Sequence, residues 1–337
     1  MVSHLIAGQL LAQIPFITPR HFFEETSPLK MTLEADFSIL MNASSIAEEA
    51  LVYKPAQAKI WLNDTLFVFT DIEIRPRGSY RRTECSLPPL MINFKADSIS
   101  PFRPLGKLKF VWFCTDNYQN EQWVMKEFLT YKIYNALTPL SFNVRAIDFE
   151  FRDSRKRIKP LQTFAFLIED LDDLAKRNQS LPYKQTVTHT EQTDRQQTTL
   201  VALFEYMIGN TDWAVPLNRN IKLMRAAKDS LALPWVIPYD FDYCGLVDAS
   251  YAVPPPELPI TSVRQRIYRG FLRTEEELQR VFQQFNNQHA AIEATIHNFQ
   301  GLNAGNKREM IRYINTFYKI INDPKLAREA FIKNARK

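Results

Sequence analysis

The sequence predicts an α+β fold with two lobes, a mainly antiparallel sheet lobe followed by a mainly helical lobe. Short runs of alternating apolar and polar residues dominate up to about residue 170, as in half-buried strands. Beyond that position, apolar residues recur at helical spacing. A chain of 337 residues that is 45% hydrophobic is long enough to bury a core in each lobe. We therefore expect a sheet lobe over residues 27–170 and a helical lobe over 171–337.

Five strands are predicted in the first lobe because each run alternates in polarity and is bounded by turn residues. The predicted strands are LFVFTDIEIR from Leu66, MINF from Met91, KLKFVWF from Lys107, VRAIDFEF from Val144 and TFAFLIE from Thr163.

The basic run RDSRKRIK, residues 152–159, lacks interleaved aromatic residues and is interpreted as a charged hairpin turn.

One long helix is predicted between these strands, from Glu121 to Leu137. Met125, Leu129 and Ile133 share a face at helical spacing, whereas Lys126, Glu127 and Thr130 lie on another. The long helix thus belongs to the sheet lobe in this prediction.

In the second lobe, apolar spacing predicts a helix over 200–208 that ends at Gly209. The polar tract before it, residues 176–199, is interpreted as a mobile linker or insertion. Thr274 and Glu277 form a capping-box pattern that predicts a helix to about Phe299, and NKREMIRYINTFYKII predicts another.

The candidate site lies between Gly209 and Asp242, in GNTDWAVPLNRNIKLM and PWVIPYDFDYCG. Asp240 follows an apolar run that predicts a buried strand, so its backbone would be held rigidly. Asp242, two residues further, would share its face if the strand continues. Mg²⁺ prefers oxygen ligands and takes one or two carboxylates together with substrate phosphates. The acids of this segment therefore indicate a metal and phosphoryl-transfer site.

Asp212 lies just past the predicted helix, where its carboxylate can accept a hydrogen bond from a substrate hydroxyl. Asn218 and Asn220 are both candidates for an amide ligand. Asn220 is preferred because it directly precedes the strand-like IKLM. Each motif alone is also explained by a turn or a cap, and it is their order between two strands that favours a site.

These motifs resemble the CotH-type atypical kinases of spore coats and a group of related bacterial proteins. GNTDW, the following asparagine and PYDFD carry the resemblance. RPRGSYRR at 75–82, NEQWVMKEFLTYKIYN at 120–135 and FAFLIEDLDDLAKR at 164–177 extend it over about residues 27–270. The resemblance implies a protein-kinase-like fold that uses ATP and Mg or Mn to phosphorylate a protein or another hydroxyl acceptor.

The resemblance also implies residue roles. Asp212 would be the catalytic carboxylate, with Asn220 and Asp240 as metal ligands and Asp242 as an auxiliary acid at the metal. Glu127 would pair with Lys107 or Lys109, although a surface salt bridge is the alternative interpretation. The residues implied to contact nucleotide or phosphate are Arg77, Gly78, Lys109, Glu127 and Glu169.

Two departures from the family pattern leave alternatives open. Met91 stands where a lysine is expected, so Arg75, Arg77, Arg81 and Arg82 are candidates to supply the cation. The segment from Asp212 to Asn220 is longer than in conventional kinases. A nucleotide-binding pseudokinase and a nucleotidyl (AMP) transferase are therefore retained as alternatives. A metal-dependent phosphohydrolase is disfavoured because no further acidic or histidine ligand lies in a neighbouring motif.

Composition narrows the partners and the location. A net charge of +5 is too mild to predict a nucleic-acid partner. The three cysteines are far apart and odd in number, which predicts neither a zinc site nor a disulfide framework, with Cys244 as a packing residue. No apolar run is long enough to span a membrane. Residues 1–26 are interpreted as a leader or an N-terminal extension, so the protein is either exported, with a mature part from near Ser27, or cytoplasmic.

Overall fold

The computed structural model describes residues 15–41, 46, 50–64, 66–78, 80–95, 100–115 and 117–337. It contains both strands and helices and divides into two compact units. Unit 1 runs to Val124 and resumes over Asn143–Asp173, and unit 2 comprises Met125–Phe142 and Leu174–Lys337. The last boundary falls close to the predicted division after residue 170, but most of the long helix belongs to unit 2.

Unit 1 is built on a closed sheet of seven strands in the order β1–β2–β3–β4–β5–β7–β6, in which β6 pairs back with β1. The β1–β6 pair is parallel and the other pairs are antiparallel. The resemblance implies the sheet lobe of a protein kinase, and a closed sheet of seven strands does not by itself identify such a lobe. The strands are β1 Leu29–Ala35, β2 Lys54–Trp61, β3 Phe67–Pro76, β4 Leu90–Phe94, β5 Gly106–Val111, β6 Val144–Asp153 and β7 Leu161–Ile168.

The five predicted strands are confirmed as β3 to β7. The sequence analysis did not predict β1 and β2. Strand β1, LKMTLEA, buries Leu29, Met31, Leu33 and Ala35, and this alternation was the signal that could have identified it.

Short helices join the strands of unit 1: α1 Pro19–Glu24, α2 Ser38–Met41 and α3 Tyr80–Glu84. The Thr18 side chain caps α1 by accepting from the His21 N–H. Phe22 and Phe23 of α1 are buried, so the described fold begins upstream of Ser27. The rest of the predicted leader, residues 1–14, lies outside the described residues.

A disulfide joins Cys85 and Cys114, whose Cα atoms are 4.8 Å apart. The expectation that the cysteines form no disulfide was therefore wrong. The two residues are 29 positions apart in sequence, and the pairing of β4 with β5 brings their flanking segments together. The Leu87 N–H donates to the Cys114 carbonyl at 3.0 Å, which holds the same two segments side by side. Cys244 is a buried free cysteine, as predicted for a packing residue.

The predicted basic hairpin turn is confirmed between β6 and β7, and it is fixed by two carboxylates. Asp153 accepts backbone N–H bonds from Phe37 at 3.0 Å and Arg157 at 2.7 Å. The Arg157 guanidinium contacts both Asp153 and Asp36. Hydrogen bonds from Ser38 and Arg157 lower the pKa of Asp36 to about 2, and the Arg157 side chain and these backbone groups lower the pKa of Asp153 well below its usual range.

Unit 2 combines helices with a small sheet of order β10–β9–β8. Two long helices, Glu275–Asn298 and Ala304–Ile321, each bury an apolar face. The predicted capping box of Thr274 and Glu277 is confirmed at the start of the first of them. Helices α4 and α5 each cross a boundary between the units. The elements are α4 Tyr118–Leu137, α5 Leu171–Arg177, β8 Ser180–Pro182, α6 Arg195–Ile208, β9 Ile221–Ala226, β10 Trp235–Pro238, α7 Glu275–Asn298, α8 Ala304–Ile321 and α9 Pro324–Arg328.

The polar tract over 176–199 is structured, so its interpretation as a linker was wrong. It contains β8, a 3₁₀ turn at Thr190–Gln192 and the first turn of α6. Asp194 caps α6 by accepting from the Gln197 N–H at 2.8 Å. Local caps and the pairing of β8 with β9 order a segment whose polar composition resembled a linker. None of the helices in the described part of the chain combines the length and apolar character needed to cross a bilayer.

Candidate functional site

The loop that carries Asp212 begins where α6 stops. Gly209 ends the helix with φ of +69°, and a Cβ at this position would lie 2.1 Å from the Tyr313 hydroxyl oxygen. Only glycine therefore fits both the backbone and the space. The Asn210 Oδ1 then accepts from the Asp212 N–H at 2.9 Å, and the buried Trp213 anchors the far side of Asp212. The position of Asp212 is thus set by its neighbours on both sides.

Asn220 connects Asp212 to the small sheet. Its Nδ2 donates to the Asp212 backbone carbonyl at 2.7 Å and to the Asp212 Oδ2 at 3.0 Å. Asn220 has φ of +52°, a left-handed conformation that asparagine tolerates better than most residues. Asn218 has a similar φ of +49°, but it lies in an exposed turn. Of the two candidate asparagines, Asn220 is the one in contact with Asp212.

Asp240 lies beside Asn220 because β9 and β10 pair antiparallel, with Pro238 opposite Ile221. The Tyr239 N–H donates to the Asn220 carbonyl at 3.0 Å, which places the Asp240 backbone next to Asn220. Asp240 has φ of +66° and is half-buried. Its N–H donates to the Tyr131 hydroxyl at 2.8 Å. The structure therefore brings Asp212, Asn220 and the backbone of Asp240 together within unit 2.

Asp242 was expected to share the face of Asp240 if the strand continued, and that condition is not met. Strand β10 ends at Pro238, and the left-handed turn at Asp240 breaks the alternation on which that expectation depended. Asp242 is buried, and its Oδ2 accepts from the Tyr251 hydroxyl at 3.1 Å. The role of Asp242 as an auxiliary acid therefore stays a prediction.

Asp240 and Asn220 are residues of this region that could offer oxygen atoms to a cation. Within the described residues, no group of three or more His, Cys, Asp or Glu residues is arranged to hold a metal ion. The Asn220 Nδ2 faces Asp212, so its Oδ1 is the atom left to bind a cation, together with the Asp240 carboxylate. One carboxylate and one amide oxygen suit Mg²⁺ bound chiefly through phosphates and waters, and they do not suit a metal held by protein alone.

Glu205 is a residue of this region that the sequence analysis missed. It lies on α6, is fully buried, and accepts no hydrogen bond from any described residue through either carboxyl oxygen. Burial raises the pKa of Glu205 well above its usual value, and the adjacent Asn210 amide opposes this only in part. The sequence feature that could have identified Glu205 is a charged residue inside the apolar run LVALFEYMI, one helical turn before the loop that carries Asp212.

Arginines surround the same loop. The Arg219 Nε lies 3.2 Å from the Asp212 Oδ1, and the Arg269 guanidinium donates to the Thr211 carbonyl. Arg264 pairs with Asp248 and Glu309, and Arg266 donates to the Met207 and Tyr313 carbonyls. Arg264, Arg266 and Arg269 therefore all make contacts within unit 2.

In unit 1, Arg81 and Arg82 are buried and donate to the carbonyls of Trp112 and Ile46, each at 2.5 Å. This occupies guanidinium groups that the sequence analysis offered for phosphate. Arg77 and Gly78 follow β3 and are half-exposed, and Gly78 has φ of +84° with no atom near its missing Cβ. Both remain predictions for phosphate contact.

Met91 has a basic residue opposite it on each side. Arg75 of β3 and Lys109 of β5 are its direct partners in the register, and directly paired residues of antiparallel strands project from the same face. Arg75, Met91 and Lys109 therefore form one row across the sheet. All three are half-buried.

The remaining predicted nucleotide contacts are buried. The Glu169 Oε2 accepts from the Asn143 N–H at 2.9 Å, so this carboxylate already holds a backbone group of unit 1. Glu127 is buried on the part of α4 that belongs to unit 2. Since Lys109 belongs to unit 1, the pairing of Glu127 with Lys109 stays a prediction.

No protein-family model matches the chain, and no curated protein matches it. Among solved structures, the crystal structure of a Helicobacter pylori proinflammatory kinase, CtkA, is similar over 83% of this chain and 92% of its own length. The sequence identity is 12% and the TM-score is 0.36. A similarity of this degree does not assign a fold or an activity.

Proposed function

We propose that the chain is a kinase-like phosphotransferase that moves a phosphoryl group from ATP, bound with Mg²⁺ or Mn²⁺, to a hydroxyl group of a protein or a small acceptor. The observation that carries the proposal is the Asn220 side chain. It contacts the Asp212 carboxylate at 3.0 Å, while the Asn220 carbonyl holds the backbone just before Asp240. A single residue thereby joins the proposed catalytic acid to the proposed metal ligand.

Asp212 would accept a hydrogen bond from the acceptor hydroxyl and orient it for in-line attack. A carboxylate offers about four lone-pair positions, so the contacts to Asn220 and Arg219 leave capacity for the hydroxyl. Asp240 and the Asn220 Oδ1 would hold the cation. When bound, the cation neutralises charge on the phosphates.

The cation that contacts the phosphates is proposed to come from the row that flanks Met91. Arg75 and Lys109 lie on either side of Met91 in the register, where either can serve in place of the expected lysine. Arginine binds phosphate in a bidentate manner and lysine as a point charge.

A nucleotide-binding pseudokinase is the second candidate, and two observations favour it. Met91 replaces the expected lysine, and the Arg81 and Arg82 guanidiniums are engaged with main-chain carbonyls. An AMP transferase would use the same residues with the nucleotide bound in the opposite sense. Incubation with ATP labelled at the α or the γ phosphate distinguishes the three candidates. A kinase transfers the γ label to the acceptor, an AMP transferase transfers the α label, and a pseudokinase transfers neither.

Export is the location we propose. Disulfides such as Cys85–Cys114 form and persist mainly in oxidising compartments. This supports the exported alternative over the cytoplasmic one.

The proposal is tested by thermal unfolding in the presence of ATP and Mn²⁺. A ligand at 100 times its dissociation constant stabilises the folded state by about 2.7 kcal/mol, and we expect this stabilisation for the wild-type protein. Asp240→Asn and Asn220→Ala should lose it, whereas Asp212→Asn should keep it and lose about 10²-fold or more of phosphoryl transfer. Asn218→Ala is the matched control, since Asn218 shares the left-handed backbone of Asn220 without its contact to Asp212. Binding by Asp240→Asn at wild-type strength would refute the metal assignment.

A further inference from the structure

Tyr131 lies on α4, far from Asp240 in sequence, and contacts its backbone. The Asp240 N–H donates to the Tyr131 hydroxyl at 2.8 Å. Tyr131 is almost completely buried, with 2% exposure, and its ring packs against Phe241 with centroids 4.7 Å apart. The part of α4 from Met125 onward and the segment that contains Asp240 both belong to unit 2. The contact of Tyr131 with Asp240 therefore lies within one compact unit.

Asp240 needs such a contact because its backbone is in an unfavourable region. Asp240 has a left-handed φ of +66°. For a residue other than glycine this conformation is unfavourable, and contacts with the surroundings must offset its free-energy cost. The segment after β10 has no strand partner for the Asp240 N–H, and half-buried backbone donors are normally paired. The Tyr131 hydroxyl supplies the acceptor.

The direction of the Asp240 side chain depends on this backbone conformation. On one side, the Tyr239 N–H is held by the Asn220 carbonyl at 3.0 Å. On the other side, Phe241 is fully buried against Tyr131 and Phe204. The N–H of Asp240 is the group between these two fixed points, and the Tyr131 hydroxyl is what orients it.

We infer that Tyr131 is a positioning residue that presents the Asp240 carboxylate to the cation of the phosphoryl-transfer site. The inference rests on the proposed function for the identity of the ligand, and on geometry alone for the contact with Asp240. Residues that orient metal ligands commonly change metal affinity by 10- to 100-fold when removed. We expect Tyr131 to act at the lower end, because one neutral hydrogen bond is lost.

The test compares Tyr131→Phe with Tyr134→Phe. Tyr134 lies one turn further along α4 and is equally buried, but its hydroxyl accepts from the Gln197 amide at 3.0 Å. Mn²⁺ binding is titrated by electron paramagnetic resonance with a non-hydrolysable ATP analogue present. Tyr131→Phe should bind Mn²⁺ about tenfold more weakly, and its maximal transfer rate should recover at high Mn²⁺. Tyr134→Phe should bind Mn²⁺ as the wild type does.

A second readout needs neither metal nor activity. Amide hydrogen exchange at Asp240 should be faster in Tyr131→Phe than in the wild type and Tyr134→Phe. Unchanged exchange and unchanged Mn²⁺ affinity would overturn the inference, as would equal weakening by both variants. A wild-type protein that binds no Mn²⁺ with the analogue would refute the proposed function and the metal role of Tyr131, while the exchange data would still decide whether Tyr131 holds Asp240.

Discussion

The β6–β7 turn of unit 1 and helix α6 of unit 2 each contain a buried carboxyl group, but the two groups have opposite surroundings. Asp153 accepts hydrogen bonds from two backbone groups and from Arg157, and its pKa is lowered. Glu205 accepts none from the described residues, and its pKa is raised. The first arrangement stabilises the fold through an ion pair, whereas in the second, burial disfavours the charged form of the acid.

The backbone shows the same contrast. Within the described residues, positive φ values occur at six non-glycine positions, and four of them, Asn218, Asn220, Asp240 and Asp248, fall in one stretch of unit 2. Strained conformations of this kind persist where the surrounding structure holds them, and they concentrate at functional sites. The concentration of these conformations in unit 2 therefore supports placing the proposed catalytic and metal-binding residues in the 205–248 segment.

The largest effect should come from removing the disulfide of unit 1. Replacing both Cys85 and Cys114 by serine removes a cross-link between residues 29 positions apart, which should lower the free energy of unfolding by about 3 kcal/mol. Urea denaturation measures the loss, and hydrogen exchange should show it in unit 1 rather than unit 2. Wild-type protein in reductant serves as the control. Labelling of all three cysteines in denatured, unreduced wild-type protein would contradict the prediction.

The next effect concerns Glu205→Gln. Because the pKa of Glu205 is raised in the folded state, wild-type stability should fall as the pH rises above the ordinary glutamate pKa. The slope is about 1.4 kcal/mol per pH unit until the raised pKa is reached. The variant lacks this group, so its advantage over the wild type should be greatest at high pH and vanish near pH 4.5.

Urea midpoints between pH 5 and pH 9 measure this difference. Glu34→Gln, at an exposed position on β1, is the matched control and should follow the wild-type curve. Parallel pH profiles for the wild type and Glu205→Gln would show that Glu205 is ionised in the folded protein.

The smallest effect should come from Asp36→Asn, and its sign is opposite. The pKa of Asp36 is lowered to about 2 by Ser38 and Arg157, so its stabilisation is present above the ordinary aspartate pKa and is lost as the pH falls towards 2. The variant should be less stable than the wild type at pH 6 and should converge with it on acidification. Urea midpoints at pH 6, 4 and 3 test this, with Asp71→Asn on β3 as a control that should not converge.

The sequence predicted the parts of the fold that local patterns determine. Alternation identified β3 to β7, helical spacing identified α4, α7 and α8, and Thr274 with Glu277 identified a helix start. It missed the disulfide because the pairing of β4 with β5 decides which cysteines meet. It also missed β1 and β2, although both strands alternate in burial and β2 pairs with its neighbours along the chain; only the pairing of β1 with β6, more than 100 residues away, is distant.

In the candidate site, the sequence predicted Asp212, Asn220 and Asp240 because they follow consecutive elements, and the structure places Asn220 in contact with Asp212 and with the backbone just before Asp240. It did not predict that the strand ends at Pro238 or that Asp240 has a left-handed backbone, because neither feature follows from the alternation of residues. The contributions of Glu205 and Tyr131 depend on packing between helices and loops, which spacing along the chain does not encode.

Closing the sheet of unit 1 has a consequence for how a protein acceptor can be recognised. Every strand from β1 to β7 has two neighbours, but the pairing of β3 with β4 covers only Glu73–Pro76 of β3. Among the described strands, the first part of β3 therefore pairs with β2 alone, and a peptide could add to the sheet only along such a partial edge. A polypeptide that docks elsewhere on unit 1 would be read by side chains, and its selectivity should respond to surface substitutions more than to the backbone conformation of the peptide.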